Sequence, residues 1–485
     1  MNATFDHCKF TSNATGGSGS GGAIWSNDSN LTLQSCSFVT NQSGFWGGAL
    51  RMDDGNLTLR DCLLSGNESK FSNGGGGLYQ NAGSFLIERT SFLQNKATHQ
   101  GGAILMRDTS GSILDSNFTE NHNVTSNGGG ALYIENSSPK ISSSKFIKNK
   151  TDANNYGGAI KLVSSSPSLD SCFFQNNQSS INSGGALFID EVSNPILLNN
   201  QFHHNFSASW GGAIYCKGSD LALIGGNFIG NHAQFGGGVA TNGVSQTSFV
   251  DVRILGNEAN ASTGGRGGFL YLGNGAVDSK FVNCVVAGNK SNYRHGVLSA
   301  KGSIVFTNST IYGNVAAESG AVALLFSGDS IVLENSILWG NSDSDGNEIY
   351  VNTGSASASY SLFDSDKSSG ISQGLGNISS DPSFLDENGN DNLIGTEDDD
   401  LRLSQGSPAI DKGSINFSNF KQTDLMGTNR GALPVLGAYE YYLNTSPSFI
   451  SNNAIFSVTE NSTLVVELNA TDADGDDVLF SLVEV

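Results

Sequence analysis

A short motif, usually Phe-x-x-Asn, recurs thirteen times between Cys8 and Asn341, and almost every copy is followed by Gly-Gly-Ala-Ile or a near variant. A period of this length fixes the architecture before any single residue is read, because each unit is too small to bury its own apolar face. The recurring asparagines are Asn13, Asn41, Asn67, Asn95, Asn121, Asn149, Asn177, Asn205, Asn231, Asn257, Asn289, Asn314 and Asn341, spaced 25 to 32 residues apart. Glycine pairs keep step from Gly21-Gly22 to Gly267-Gly268 and shrink to single glycines at Gly296 and Gly320. In the second unit, Gly48–Met52, Leu57–Leu59 and Cys62–Leu64 are three short alternating runs separated by turn residues, and each reads as a strand. Three strands per unit, stacked at about 4.8 Å, make an all-β, right-handed parallel β-helix of about thirteen rungs and roughly 60 Å. Paired glycines allow positive φ and close backbone approach, and a recurring Asn tolerates the left-handed region and bonds its neighbours in a ladder.

With 62 Gly and 7 Pro in 485 residues and no long apolar run, no segment of the sequence reads as membrane-spanning. The chain enters the repeat partway through a coil at Met1–Cys8, which lacks the pattern of an export signal, so we expect part of a longer polypeptide. Five of the six cysteines, Cys8, Cys36, Cys62, Cys172 and Cys284, stand five residues before a ladder Asn, where other units carry Thr90, Ser116, Ser144 or Ser309. That interchange marks small inward-facing packing residues. Asn-x-Ser/Thr triplets such as Asn30-Leu31-Thr32 are what a Ser/Asn-rich repeat generates by chance.

The phased pairing of Gly-Gly-Ala-Ile with Phe-x-x-Asn over residues 1–342 resembles the polymorphic outer membrane protein repeats of chlamydiae and the wider secreted right-handed β-helix proteins. That resemblance implies a surface-displayed, extracellular or outer-membrane protein with a role in adhesion. Beyond residue 342 the material changes: 22 acids and 19 bases precede that point and 23 acids and 5 bases follow it, which sum to the 45 and 24 of the whole chain. A near-neutral rod argues against nucleic acid as a partner. Asp381–Asp386, Asp399–Leu403 with Gly406–Asp411, and Gly437–Glu440 resemble the end of secreted β-helix proteins of the choice-of-anchor Q type, which implies a cap and anchoring region over 343–442. From 443 to 485, Phe456–Asn461, Leu464–Leu468 and Asp472–Asp476 resemble the start of a cadherin-like module, and the likeness implies calcium ligands at Glu460, Asp472, Asp474 and Asp476. Within the acidic region itself, Asp386, Asn388, Asn390, Asp391, Asp398, Asp399 and Asp400 gather oxygens within 15 residues, so calcium is the ion they would favour, although acidic runs are ordinarily solvated loops. No other cofactor is indicated.

Parallel β-helices also carry polysaccharide lyases and glycoside hydrolases, so the surface columns decide. The fourth residue after each Gly-Gly-Ala alanine reads Asn27, Asp53, Ala82, Arg107, Glu135, Val163, Asp190 and Lys217. Arg107, Glu135 and Asp190 are the best catalytic candidates, with the two carboxylates near 10 Å apart, and an ordinary ion pair at a strand end explains the same residues. The second residue after that alanine reads Trp25, Arg51, Gln80, Leu105, Tyr133, Lys161, Phe188, Tyr215, Thr241 and Tyr271. Alternation turns this column outward, giving a stripe of aromatics and cations suited to sugar rings or a cell-surface partner, or simply a ladder that stabilises neighbouring strands. The leading expectation is therefore a non-catalytic surface adhesin or display stalk contacting a polysaccharide or a cell surface, and the alternative is a lyase or glycoside hydrolase.

Overall fold

A computed structural model describes residues 2–441, leaving out positions 72, 153–154, 191, 244–245, 262–263, 274–277, 295, 300–301 and 369, and in addition 448–449 and 470–471. Residues 1–440 form one compact unit and 441–485 a second. In the second unit the described residues are Tyr441 and an antiparallel pair, Ser448–Phe449 against Ala470–Thr471. Glu460, Asp472, Asp474 and Asp476 lie outside the described residues.

The coil repeat is the parallel solenoid the sequence implies. One coil shows how the residues make it. The strand Leu50–Arg60 turns a corner at Asp54, Leu63–Ser65 forms the next face, and Glu68–Ser69 adds a two-residue strand after the ladder Asn that pattern reading merges into the turn. Each face pairs in register with the next coil, Leu50 on Leu78, Leu57 on Phe85, Leu64 on Phe92 and Ser69 on Ala97. Across the described residues this gives a 38-stranded sheet that wraps the solenoid and an 11-stranded sheet of the short strands. No helix is long and apolar enough to cross a membrane among the described residues.

Corners need left-handed backbone, and the coil takes it at Gly47, Asp54, Asp61 and Gly66. The ladder Asn is not among them; the residue before it is, as at Thr40, Gln94, Glu120 and Lys148, which corrects the expectation that Asn supplies the turn. What Asn supplies is bonding. Each Asn Oδ1 accepts both the backbone N–H and the side-chain amide of the Asn one coil earlier, at 3.0 and 3.0 Å from Asn149 to Asn177, while the second amide hydrogen of Asn177 goes to the Phe146 carbonyl at 2.8 Å. The row of buried amides is thereby fully paired, as burial demands. The glycine pair divides its labour: Gly47 takes φ 62°, and a Cβ on Gly48 would stand 2.0 Å from the Gly76 carbonyl oxygen of the next coil.

Register also corrects two glycine assignments. In the runs Gly74–Gly77 and Gly236–Gly238 the turn glycines are Gly75 and Gly236, and the last glycine replaces the alanine. The outward column therefore reads Tyr79 and Ala240, not Gln80 and Thr241, and the column two residues on reads Asn81, not Ala82.

Inside, Phe92, Phe118, Phe146, Phe174, Phe202 and Phe228 stack with ring centroids 4.8 Å apart, the coil spacing itself. All six cysteines are free, and the Cys36 and Cys62 thiols point at the Gln34 and Arg60 carbonyls at 3.2 Å, as the Ser116 hydroxyl points at that of Leu114. Burial pushes the Cys62 thiol up to about 11 and that of Cys172 to about 12, which leaves both unreactive.

Coils continue past residue 342 through Ile349–Val351, Ser355–Ser359, Leu362–Phe363 and Ile371–Gln373. The acidic region forms a strap along the coils: its Phe384, Ile394, Leu401, Leu425, Ala438 and Tyr439 pack sideways on a flank that turns apolar in the later coils at Ile229, Leu255, Val285, Ala287 and Tyr312. Arg430, with its side chain fully buried, fastens the strap to Asn283 of the coils at 2.8 Å and is itself held by Glu440 of the strap at 2.9 Å.

Candidate functional site

The outward column after the glycine turn is the chemically richest surface. Strand pairing stacks Trp25, Arg51, Tyr79, Leu105, Tyr133, Lys161, Phe188, Tyr215, Ala240 and Tyr271 in one row. The row faces away from the core, yet it is not the open stripe that alternation suggests. Trp25 is 61% exposed, but Tyr133, Phe188 and Tyr215 keep only 5, 6 and 5%. Their cover is a second set of aromatics that the sequence reading passed over, the residues immediately before the first turn glycine: Trp46, Tyr156, Trp210 and Phe235. Their signal was present in the sequence as an aromatic abutting the glycine pair, a position that alternation within strands never samples.

The two sets interlock. Tyr156 lies 4.6 Å from Phe188 between ring centroids, Trp210 lies 5.4 Å from Tyr215 and 5.9 Å from Tyr271, and Phe235 lies 5.1 Å from Tyr271. Between them opens a cleft of about 370 Å³ floored by Phe188 and Tyr215, walled by Tyr156 and Trp210, and rimmed by Asn182, Lys217 and Asn242. The half-buried walls Tyr156 and Trp210 offer ring faces on which the C–H patches of a sugar stack, with amide groups beside them for its hydroxyls.

Two cations are set into the aromatic row. The Arg51 guanidinium stands 5.0 Å from the Trp25 ring, 4.6 Å from Trp46 and 5.7 Å from Tyr79, and its Nε donates to Asp53 Oδ2 at 2.6 Å. Lys161 Nζ stands 5.5 Å from Tyr133, 5.4 Å from Tyr156 and 5.4 Å from Phe188. Burial pulls the Lys161 ammonium down to about 8, against the opposing pull of Asp190 and Glu135.

The catalytic candidates occupy the neighbouring column and are already engaged. Arg107 Nε donates to Glu135 Oε2 at 2.6 Å. Asp190 does not stand free beside them: its carboxylate accepts the Ser164 N–H at 3.2 Å and the Ser193 hydroxyl at 2.6 Å, closing its own turn. In the acidic strap, Asp386 faces Asp400 across a strand pair, and Asp400 is held by Arg402 at 2.9 and 2.7 Å. Asp398 accepts the N–H groups of Asn390 at 2.7 Å and Asp391 at 3.3 Å, Asp391 accepts that of Leu393 at 2.8 Å, and Asp399 accepts that of Gly395 at 2.6 Å. Asn388 lies half-buried between these turns. Among the described residues no three His, Cys, Asp or Glu side chains stand where they would hold a metal ion; these carboxylates fold the loop by taking up backbone amides.

Comparison with known proteins agrees with the coil geometry. Residues 1–172 match the right handed beta helix region family, and residues 201–217 match the Chlamydia polymorphic membrane protein repeat. No curated protein matches. Among solved structures, the crystal structure of pectate lyase Pel9A aligns with 80% of this chain and 88% of its own at 14% identity and a TM-score of 0.41, and no chemistry is carried over from it. The chain is thus a right-handed parallel β-helix repeat protein, with one of its repeats matching the chlamydial polymorphic membrane protein type.

Proposed function

We propose that this protein is a non-catalytic recognition rod of a cell surface, an adhesin or display stalk whose aromatic cleft holds a stretch of extended glycan. The observation that carries this reading is the cleft between Tyr156, Phe188, Trp210 and Tyr215, where the half-buried rings of Tyr156 and Trp210 stand beside Asn182 and Asn242. A rod whose coils repeat at about 4.8 Å offers an extended chain a regular bed, and the outward column from Trp25 to Tyr271 runs along it. Adhesion rather than turnover is favoured by the state of the candidate acids, Glu135 spent on Arg107 and Asp190 on its own turn. Surface placement rests on the polymorphic membrane protein repeat at 201–217.

The test is a glycan array with the full chain beside Trp210→Ala, followed by a reducing-end and unsaturated-product assay on every ligand bound. Binding that falls at least tenfold in Trp210→Ala, with no product formed, is the expected result. Binding that ignores Trp210 sinks the cleft, and product formation sinks the non-catalytic reading in favour of a lyase or glycoside hydrolase.

A further inference from the structure

The Arg51 and Lys161 boxes occupy the same outward column and differ in one respect. Two residues after Arg51, on the same face of the strand, stands Asp53, whose carboxylate takes the guanidinium at 2.6 Å and the Trp25 indole N–H at 2.8 Å. Two residues after Lys161 stands Val163, which register places in the same column as Asp53 by way of Asn81, Arg107 and Glu135. The Arg51 box is closed by its own counter-ion. The Lys161 box is not: Nζ makes no hydrogen bond or ion pair to any described residue, and the nearby carboxylates of Glu135 and Asp190 are bound elsewhere.

An ammonium has three donors, and ring faces can balance its charge but accept its hydrogens only weakly. Three rings at 5.4 to 5.5 Å therefore hold a cation to which no described residue offers a hydrogen-bond acceptor. Tyr156 and Phe188 belong at once to this box and to the glycan cleft, so the two shared rings set Nζ beside the cleft, whose own lining carries Lys217. A neutral hydroxyl would accept one hydrogen. A carboxylate would accept hydrogens and supply the missing charge, as Asp53 does for Arg51.

We propose that Lys161 is the specificity determinant of this cleft and that its ligand is a carboxylate-bearing glycan, a uronic-acid oligosaccharide whose carboxylate takes the place that Asp53 fills in the Arg51 box. This rests on the reading of the cleft as a glycan site. The probes are a uronic-acid hexasaccharide and the same oligosaccharide with its carboxyls reduced to alcohols, titrated calorimetrically into the full chain.

The native protein should bind the acidic probe at least tenfold more tightly than the reduced one. Lys161→Met should erase that preference while keeping the weaker binding of the reduced probe, and Lys161→Arg should retain it. Val163→Asp, which builds an internal counter-ion on the Arg51 plan, should also erase it. Equal binding of the two probes by the native chain overturns the assignment of Lys161 and leaves the glycan cleft standing, as does a preference that survives in Lys161→Met or Val163→Asp. If neither probe binds, both the assignment and the glycan cleft fall.

Discussion

The asparagine ladder inside the solenoid and the aromatic row outside it run at the same period, coil on coil, yet they tolerate variation in opposite ways. Inside, the chemistry is invariant: every copy from Asn41 to Asn341 is fully buried, and its amide hydrogens are paired. Outside, the column holds Trp25, Arg51, Tyr79, Leu105, Tyr133, Lys161, Phe188, Tyr215, Ala240 and Tyr271 without disturbing the strands that carry them. A buried amide row has one solution, because each unpaired N–H costs about 1 to 3 kcal/mol, whereas an outward side chain needs only to pack. Repetition thus supplies the scaffold, and departures from repetition supply the chemistry.

The ladder offers the hardest blow to that contrast. Asn177→Ala strips the acceptor from both Asn149 donors and the donor from the Phe146 carbonyl, and stability should fall by about 3 to 5 kcal/mol in denaturant titration. A loss under about 1 kcal/mol would mean the ladder is ornamental.

The ladder's terminus gives the next largest effect. Glu348, fully buried, accepts the Asn341 N–H at 3.1 Å and stands where a next asparagine would. Burial pushes its carboxyl up to about 7, against the Asn341 and Ser368 hydrogen bonds. Its folded value lies above the ordinary glutamate value of about 4.3, so the folded protein holds the proton more tightly. Stability attributable to this group is complete below about pH 4.3 and drains away by about 3 kcal/mol as the pH rises to about 7. Glu348→Gln should flatten that segment of the stability–pH curve; a Gln variant with the same slope as native protein would remove Glu348 as its source.

Smaller shifts separate the two boxes. Arg51→Met strands the buried Asp53 and should cost about 2 kcal/mol, while Lys161→Met relieves a desolvated cation that no carboxylate bonds directly and should raise stability by about 1 kcal/mol. Thermal denaturation of the pair side by side tests the sign, and two losses would show that the Lys161 box is as self-contained as that of Arg51. Of similar size, Trp210→Ala removes ring contacts to Tyr215 and Tyr271 from a partly exposed wall and should cost about 1 to 2 kcal/mol, small enough for the same melting curves to show a folded variant behind its binding defect.

What could be read from the sequence follows the same division. The thirteen asparagines, the turn glycines and the Cys/Ser column were legible because periodicity states their environment thirteen times over. Runs of glycine were not: nothing in Gly74–Gly77 says which glycine turns, and only pairing of Leu50 with Leu78 settles it. The outward column was found but its burial was misjudged, because Trp46, Tyr156 and Trp210 come from a different turn of the coil and reach it only in three dimensions. For the same reason the flank on which the strap docks was not legible. Arg430 and Asn283 are 147 residues apart, and no local pattern announces that a flank has turned apolar to receive a distant segment.

The coil-by-coil register sets a rule for how such a chain can change in length. Tyr133, Lys161 with Tyr156, and Phe188 come from three successive coils, so the lysine box is a unit three coils tall, and the arginine box of Trp25, Arg51 with Trp46, and Tyr79 is another. One coil lies between them, carrying Leu105. Duplicating or excising that coil in phase would slide the two boxes along a vernier in steps of about 4.8 Å, altering the pitch they present to a polymer while leaving each one whole.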